Sequence, residues 1–179
     1  IIVNITNLND VAPEFTSEPT FSAEENQTAI GAVTANDADG DDISFTVSGD
    51  ELEISSSGDL TFTTAPDYET KTSYTSTITA SDGAGNSSTQ DITVSVNNLN
   101  DNSPVITSNA TFTAAENQTA IAALTASDAD GDSISFTISG SELSITSAGV
   151  LTFASALLKG ISALTFPSLS SKITGKFSK

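Results

Sequence analysis

Short runs of alternating apolar and polar residues recur along the first 153 positions of the chain. In the first hundred residues these runs lie at 43–47, 52–54, 60–62, 74–80 and 92–96. Thr and Ser fill many of the intervening positions, as in strands with one solvated face. Turn sequences separate the runs, and no stretch has a helical period. About seven short strands in roughly 90 residues predict an antiparallel β-sandwich, since a single sheet would leave its apolar face uncovered.

The same pattern occurs twice. Residues 10–153 repeat with a constant offset of 91 positions and without a gap. The matched pairs are 23–30 with 114–121, 37–41 with 128–132, 43–49 with 134–140 and 60–62 with 151–153. Self-similarity at a fixed spacing is the signature of a repeat architecture, so the sequence predicts two consecutive sandwiches.

The repeat defines the domain organisation that we predict. Residues 1–9 are interpreted as the last strand of a preceding repeat plus a linker, because their first five residues resemble 92–96. Residues 10–100 form a complete repeat, and residues 101–153 begin a second one. The second linker, Asn97 to Pro104, has an earlier copy at Thr6 to Pro13.

The last 26 positions, 154–179, break the pattern. They contain no Asp or Glu but hold four of the five lysines of the chain. We therefore expect the second sandwich to be truncated, lacking at least its final strand and presenting an unpaired sheet edge. One hypothesis for this tail is a frameshift in the coding sequence, and the alternative is a genuinely divergent C-terminus.

Composition excludes several classes of function. The 179 residues carry a net charge of −18, which argues against binding nucleic acid or an anionic membrane surface. The absence of His and Cys excludes imidazole-based catalysis, thiol nucleophiles and zinc–thiolate sites. No apolar run is long enough to span a bilayer, so no direct membrane insertion is expected. An acidic, solubilising surface would explain part of the charge, but the arrangement of the acids suggests a further role.

Acidic and amide side chains gather in small clusters at the turns. In the first repeat these are Glu25-Asn26, Asp37-Ala38-Asp39-Gly40-Asp41, Asp67-Tyr68-Glu69 and Asp82, and the linker adds Asn98, Asn100, Asp101 and Asn102. A hard cation such as Ca²⁺ takes six to eight oxygen ligands of these types. Taken singly, each cluster is equally well explained as a turn, a loop or a charged strand edge. The DxDxDG loop of EF-hands does not fit, because the Gly comes too early and no helices flank it.

Taken in order, the clusters resemble the cadherin repeat. That family is marked by Glu-Asn near the domain start, then Asp-x-Asp, Asp-x-Glu, Ala-x-Asp-x-Gly and an Asp-x-Asn-Asp-Asn-x-Pro linker. The corresponding segments here are Glu25-Asn26, Asp37-Ala38-Asp39, Asp67-Tyr68-Glu69, Ala80-Ser81-Asp82-Gly83-Ala84-Gly85 and Asn98-Leu99-Asn100-Asp101-Asn102-Ser103-Pro104. The resemblance covers residues 1–153. It implies seven-stranded, immunoglobulin-like Greek-key sandwiches with Ca²⁺ at the joint between consecutive domains.

Carried over by position, the resemblance implies a set of calcium ligands. The first repeat would supply Glu25, Asp67 and Glu69, the linker Asn100, Asp101 and Asn102, and the second repeat Asp128 and Asp130. An upstream joint would use Asp37, Asp39 and Asp82 in part. Asn98 departs from the family by replacing an Asp, Val11 replaces an Asn, and Asp41 and Asp132 replace a later Asn-containing segment.

The resemblance therefore implies a calcium-rigidified extracellular repeat module of a cell-surface adhesion protein. Its partner would be another cell-surface protein or a polysaccharide. The Asp-Ala-Asp-Gly-Asp form and the Thr- and Ser-rich strands are most like cadherin-type repeats of large bacterial surface or secreted proteins. The alternative is a spacer or carbohydrate-binding module of a secreted polysaccharide-degrading enzyme, although the chain has no Trp and only two Tyr. Catalysis is not expected, because the paired carboxylates recur as features of the repeat.

Overall fold

The computed structural model describes residues 1–155, which form fourteen strands and no helix. The chain divides into two compact units, of which the first comprises Ile1–Leu99 and the second begins at Asn100. The prediction of an all-β, sandwich-like fold is confirmed.

The first unit contains nine strands. Five of them, β5 to β9, coincide with the alternating runs in the sequence. In chain order the nine are β1 (Glu14–Phe15), β2 (Thr20–Glu24), β3 (Ala29–Ala32), β4 (Ala35–Asn36), β5 (Ser44–Val47), β6 (Leu52–Ile54), β7 (Asp59–Phe62), β8 (Ser73–Ser81) and β9 (Ser87–Asn97).

Two larger sheets carry the first unit. One has the strand order β2-β9-β8-β5 and the other has the order β3-β7-β6, while β1 and β4 form a separate short pair. The expectation of a purely antiparallel sandwich is wrong in one place, because β2 and β9 run parallel. These strands lie near opposite ends of the unit, so no hairpin turn dictates their relative direction.

The core of the first unit lies between the two larger sheets. It combines inward residues of both, and Leu60, Ile78, Ile92 and Val94 are all at most 2% exposed. The tightest backbone approach is at Gly58, which has φ +96° and whose Cβ, if present, would lie 2.2 Å from the carbonyl oxygen of Val33. Only glycine fits both conditions, and this close approach lets Val33 donate its amide to the Gly58 carbonyl at 2.8 Å.

The second unit contains five strands among its described residues. They are arranged as a three-stranded sheet of order β11-β14-β13 and a two-stranded pair, β10-β12. Their bounds are β10 (Val105–Ile106), β11 (Ala120–Ala123), β12 (Ala126–Ser127), β13 (Leu143–Ile145) and β14 (Val150–Phe153).

Segments equivalent to β2 and β5 form no strand in the second unit. Residues 111–115 and 135–138 match β2 and β5 in sequence, yet neither has regular structure. In the first unit β5 pairs with β8 and β2 pairs with β9. The positions equivalent to β8 and β9 do not fall among the described residues.

Two sequence predictions about the ends remain predictions. Residues 1–9 contain no strand, and Ile1, Ile2, Val3 and Ile5 are at least 78% exposed. Their assignment to a preceding repeat is therefore not tested here. The aberrant tail, with its frameshift hypothesis and the missing final strand, lies outside the described residues from position 156 onwards.

Candidate cation-binding sites

The loop after β4 brings three carboxylates together. Asp37, Asp39 and Asp41 each offer an oxygen within 4.8 Å of the others. The loop is shaped by its own residues, because Oδ1 of Asp37 accepts the amide of Asp39 at 2.8 Å and Gly40 adopts φ +83°. This turn returns the third acid to the side of the first two. We call Asp37, Asp39 and Asp41 the first-unit triad.

The N-terminal segment is tied to this triad through its backbone. Oδ2 of Asp39 accepts the amides of Asp10 at 3.0 Å and Val11 at 2.9 Å. The side chain of Asn7 donates to the carbonyl oxygen of Asp39 at 2.9 Å. The Asp39 side chain therefore holds the N-terminal segment against the loop after β4. Both amides bind its Oδ2, and neither binds its Oδ1.

Asp37 is the buried member of the triad. It is 8% exposed, and its Oδ2 is a buried oxygen without a hydrogen-bond partner. A buried carboxylate oxygen without a partner is costly, because the free energy of hydration has been lost and nothing replaces it. Gln90 Oε1 and Ser108 Oγ also lack a partner among the described residues, but Asp37 Oδ2 is the one carboxylate oxygen of the three.

Asp82 lies near the triad but serves its own loop. Its Oδ1 accepts the amides of Ala84, Gly85 and Asn86 at 2.9 to 3.2 Å, and its Oδ2 accepts the Asn86 side chain at 2.6 Å. Burial alone would raise the pKa of Asp82, but the bonds from the Asn86 side chain and from these amides outweigh it and lower the pKa below its usual value. The carboxylate therefore stays charged and holds the loop closed.

The same Asn86 side chain links this loop to the N-terminal segment. It donates to Oδ1 of Asn9 at 2.9 Å and to the Asn9 carbonyl oxygen at 3.3 Å. The linker, the loop of Asp82 and the first-unit triad are thus connected by one hydrogen-bond network. Asn86 is a functional candidate that the sequence did not indicate, because it lies outside every acidic cluster.

Several negative charges lie close together at the first-unit triad. Partial burial raises the pKa of Asp41, and the negative charges of Asp37, Asp39, Asp82 and Asp42 raise it further. Repulsion of this kind makes the charged form of the loop less favourable unless a cation is bound.

A second group of carboxylates forms around Glu25. Oxygens of Glu25, Asp67 and Glu69 lie within 4.8 Å of one another. Glu25 is 2% exposed, and its two oxygens accept the amides of Tyr68 at 2.8 Å and Leu99 at 2.7 Å. The adjacent Asn26 has φ 63°, a conformation that Asn tolerates better than most residues, so the Glu-Asn pair turns the chain here.

Further contacts hold this group in place. The amide of Asn26 donates to the Pro66 carbonyl oxygen at 2.9 Å, and the hydroxyl of Thr70 donates to Oδ2 of Asp67 at 2.9 Å. Glu25 thereby connects β2, the segment carrying Asp67 and the end of β9. We call Glu25, Asp67 and Glu69 the Glu25 group.

The second unit repeats the triad. Oxygens of Asp128, Asp130 and Asp132 lie within 4.8 Å of one another. Asn102 donates its amide to Oδ2 of Asp130 at 2.8 Å and its side chain to Oδ1 at 3.1 Å. Asn100 donates to Oδ2 of Asp132. We call Asp128, Asp130 and Asp132 the second-unit triad.

The structure thus brings many of the predicted ligands together within each unit. Glu25, Asp67 and Glu69 form one group, Asp37 and Asp39 belong to a second, and Asp128 and Asp130 belong to a third. Asp101 accepts the Asn102 side chain at 2.8 Å, Asn98 is an exposed residue directly after β9, and Asp82 is engaged by its loop. Asp41 and Asp132 were not among the predicted ligands, although the alternation of Asp in Asp-Ala-Asp-Gly-Asp was a usable signal.

Comparison with known proteins places this geometry in context. Residues 9–95 match the sequence profile of the family described as Bacterial Ig domain. No curated protein sequence matches the chain significantly.

Solved structures of cadherin extracellular domains are similar to the chain. Human protocadherin-24 EC1-2 superposes with a TM-score of 0.72 at 22% identity, over 82% of this chain and 79% of that one. Mouse cadherin-23 EC22-24 superposes with a TM-score of 0.69 at 23% identity, over 83% of this chain and 56% of that one. Drosophila N-cadherin EC1-4 superposes with a TM-score of 0.65 at 23% identity, over 82% of this chain and 41% of that one. The chain therefore spans less than two thirds of the latter two proteins.

Residues 1–155 contain no helix, and accordingly none that is long and apolar enough to cross a membrane. The shared architecture concerns the fold of the repeats. The fold of the chain is similar to that of cadherin extracellular repeats, and residues 9–95 match the Bacterial Ig domain profile.

Proposed function

We propose that the chain is a calcium-binding repeat module of an extracellular or cell-surface adhesion protein. The observation that carries this proposal is the first-unit triad, in which three carboxylates meet around a buried Asp37 whose Oδ2 has no hydrogen-bond partner. Calcium would supply the missing contact and offset the repulsion among the three acids.

The donor set suits this ion. Ca²⁺ prefers carboxylate and carbonyl oxygens and accepts irregular geometry with six to eight ligands. The triads and the Glu25 group offer oxygen ligands only, without the imidazole or thiolate ligands that favour transition metals. Asp37, Asp39 and their equivalents would hold the ion, together with Glu25, Asp67 and Glu69 at the other group.

Calcium at these groups would stiffen the linkers. In the first unit the N-terminal segment is already held by Asp39, and in the second unit Asn100 and Asn102 are held by Asp132 and Asp130. A cation bound to the same acids would fix the direction in which the chain enters each repeat. The module would thereby act as a stiff spacer that presents a binding partner, a cell-surface protein or a polysaccharide, and we assign it no catalytic role.

A carbohydrate-binding role is less well supported. The first unit has a cleft of about 400 Å³ lined by Asp50, Glu51, Thr63 and Tyr74 among others. However, Lys71 Nζ lies 4.2 Å from the centre of the Tyr74 ring, and Tyr74 packs edge-on against Phe62. The aromatic face that a sugar would stack on is therefore covered by a lysine.

The test is a calcium titration of the whole chain by calorimetry, with thermal unfolding followed in parallel. We expect saturable binding with a Kd on the order of 10⁻⁴ to 10⁻³ M, the range of extracellular calcium modules. At a free calcium concentration 100-fold above Kd, a single site would stabilise the chain by about 2.7 kcal/mol.

Asp37→Asn and Asp50→Asn make a matched pair for this titration. Both remove one negative charge from the first unit, but Asp50 is exposed and lies outside the carboxylate groups. Calcium binding should be weakened by the first substitution and unchanged by the second. Absence of saturable binding at 10-fold above the upper end of that range, ~10⁻² M, would refute the proposal and leave the acids as turn and surface residues.

A further inference from the structure

We propose that Asp41 is a direct third carboxylate ligand of the cation at the first-unit triad. The proposal rests on the calcium-binding function above and extends it to a residue that the cadherin resemblance does not assign. In that resemblance Asp37 and Asp39 would bind metal, whereas Asp41 stands where the family has a different segment.

The geometry of the loop supports this role. An oxygen of Asp41 lies within 4.8 Å of oxygens of both Asp37 and Asp39. Residues two apart already share a face in an extended chain, and Gly40 at φ +83° turns the backbone between Asp39 and Asp41. No atom lies within 4 Å of a Cβ built on Gly40, so the backbone conformation, rather than space, calls for glycine here.

The buried acid beside Asp41 supplies independent evidence for a ligand. Asp37 is 8% exposed, its Oδ1 is used by the amide of Asp39, and its Oδ2 has no partner. Oδ2 of Asp39 is used by Asp10 and Val11. A cation bound among the three side chains would contact Asp37 Oδ2 and Asp39 Oδ1, which these hydrogen bonds do not use. Asp41 would supply the third carboxylate ligand.

Within residues 1–155, no lysine or arginine forms an ion pair with this loop. Lys71 is the single Lys or Arg in residues 1–155, and it forms an ion pair with Glu51. Since no ion pair among the described residues offsets the three acids, a bound cation would do so, and a divalent cation attracts three close negative charges more strongly than a monovalent one.

The third carboxylate recurs in the other repeat. Asp132 lies 91 positions after Asp41 and belongs to the second-unit triad in the same way. There its Oδ2 accepts the Asn100 side chain, so part of its capacity is already used by the protein. The first-unit triad is accordingly the better place to test the role of the third acid.

The decisive comparison is between Asp41→Asn and Asp42→Asn in the whole chain, each titrated with calcium by calorimetry. These neighbours carry the same charge, but Asp42 does not belong to the triad. We expect Asp41→Asn to weaken calcium binding at one site by about tenfold or more. Even residues that only support a metal ligand typically lower metal affinity about 10- to 100-fold when they are substituted. Asp42→Asn should change affinity by about twofold or less, since it acts only through screened charge at physiological ionic strength.

Two further measurements keep the outcomes separate. Asp41→Glu retains a carboxylate and should recover most of the affinity, and raising the salt concentration should abolish the effect of Asp42→Asn but not that of Asp41→Asn. If the two Asn variants lose affinity equally, Asp41 is a surface charge and this inference fails while calcium binding stands. If the unsubstituted chain binds no calcium, the proposed function itself fails.

Discussion

The two units contain nearly the same sequence at equivalent positions but do not share the same strands. Residues 43–47 and 134–138 differ only in the last apolar residue, yet the first segment includes β5 and the second contains no strand. Phe45 pairs with Ala80 of β8, whereas Phe136 has no equivalent partner among the described residues. The difference shows that an alternating pattern does not by itself determine a strand, which also depends on its tertiary surroundings.

The carboxylate groups also differ between the two units. Both triads form, because each is built within one loop and its linker. Glu25 is buried, whereas its equivalent Glu116 is exposed. Local sequence therefore suffices for the triads. The Glu25 group has no counterpart in the second repeat, because Leu158 and Gly160 stand at the positions of Asp67 and Glu69.

Truncating the equivalent phenylalanines should give the largest contrast. Phe45 is a buried core residue, so Phe45→Ala should cost about 3–5 kcal/mol in unfolding free energy, as for other large core truncations. Phe136 is only partly buried, and Phe136→Ala should cost clearly less. Amide hydrogen exchange, analysed separately for peptides from each unit, would measure the two effects. Equal losses would show that the second unit is packed as completely as the first.

Glu25→Ala and Glu116→Ala should give the next largest contrast. Removing Glu25 leaves the amides of Tyr68 and Leu99 without their acceptor, and since both bonds are partly buried we expect a cost of about 1–3 kcal/mol in all. Glu116 is exposed, and its removal should stay within about 0.5 kcal/mol. Thermal unfolding in the absence of calcium would measure both. A neutral Glu25→Ala would contradict the structural role assigned to that side chain.

A reciprocal exchange of Val11 and Asn102 should have a smaller effect. Both residues donate an amide to the second acid of their triad, Val11 at 2.9 Å and Asn102 at 2.8 Å. Only Asn102 adds a side-chain bond to that acid. Val11→Asn should therefore stabilise the first linker by about 0.5–1.5 kcal/mol, and Asn102→Val should destabilise the second by a similar amount. Hydrogen exchange of the linker amides would report each change, and changes of the same sign would disprove the equivalence of the linkers.

The smallest expected effect concerns acid pH and Asp82. Because its hydrogen bonds lower the pKa of Asp82, the folded state binds a proton there less readily than the unfolded state. The resulting stabilisation is present above the unfolded-state pKa and is lost as pH falls through the folded-state pKa. Calcium-free melting curves between pH 7 and 3 should therefore fall less steeply for Asp82→Asn than for the unsubstituted chain. Parallel curves would show that the loop does not depend on this charge.

The sequence predicted the strands that alternate strongly and missed those that do not. Runs containing Phe45, Leu60, Ile78 and Val94 were correctly predicted because their apolar residues are large. β2 was missed, since Ala23 is a weak apolar signal next to the conspicuous Glu-Asn pair. The parallel direction of β2 was also not predictable, because it depends on a strand about seventy residues away rather than on a local turn.

The sequence also predicts contacts between acids of one loop more readily than contacts between acids far apart in the chain. The proximity of Asp37 to Asp39 follows from their spacing in one loop. The proximity of Glu25 to Asp67 was available only through the cadherin resemblance, because no local pattern connects positions so far apart. Asp41 was overlooked as a ligand because the family pattern assigns no carboxylate at that point, although the loop itself places it beside the other two.

The parallel pairing of β2 with β9 has a mechanical consequence. The pairing extends from Thr20 with Thr93 to Glu24 with Asn97, and these strands lie near the two ends of the first unit. Tension applied along the chain would pull β2 backwards from its start and β9 forwards from its end. In that geometry the hydrogen bonds of the pair are loaded together in shear, whereas a hairpin pulled at its open end gives way one bond at a time. A stretching force on the first unit would therefore have to break the five residue pairings of β2 with β9 together.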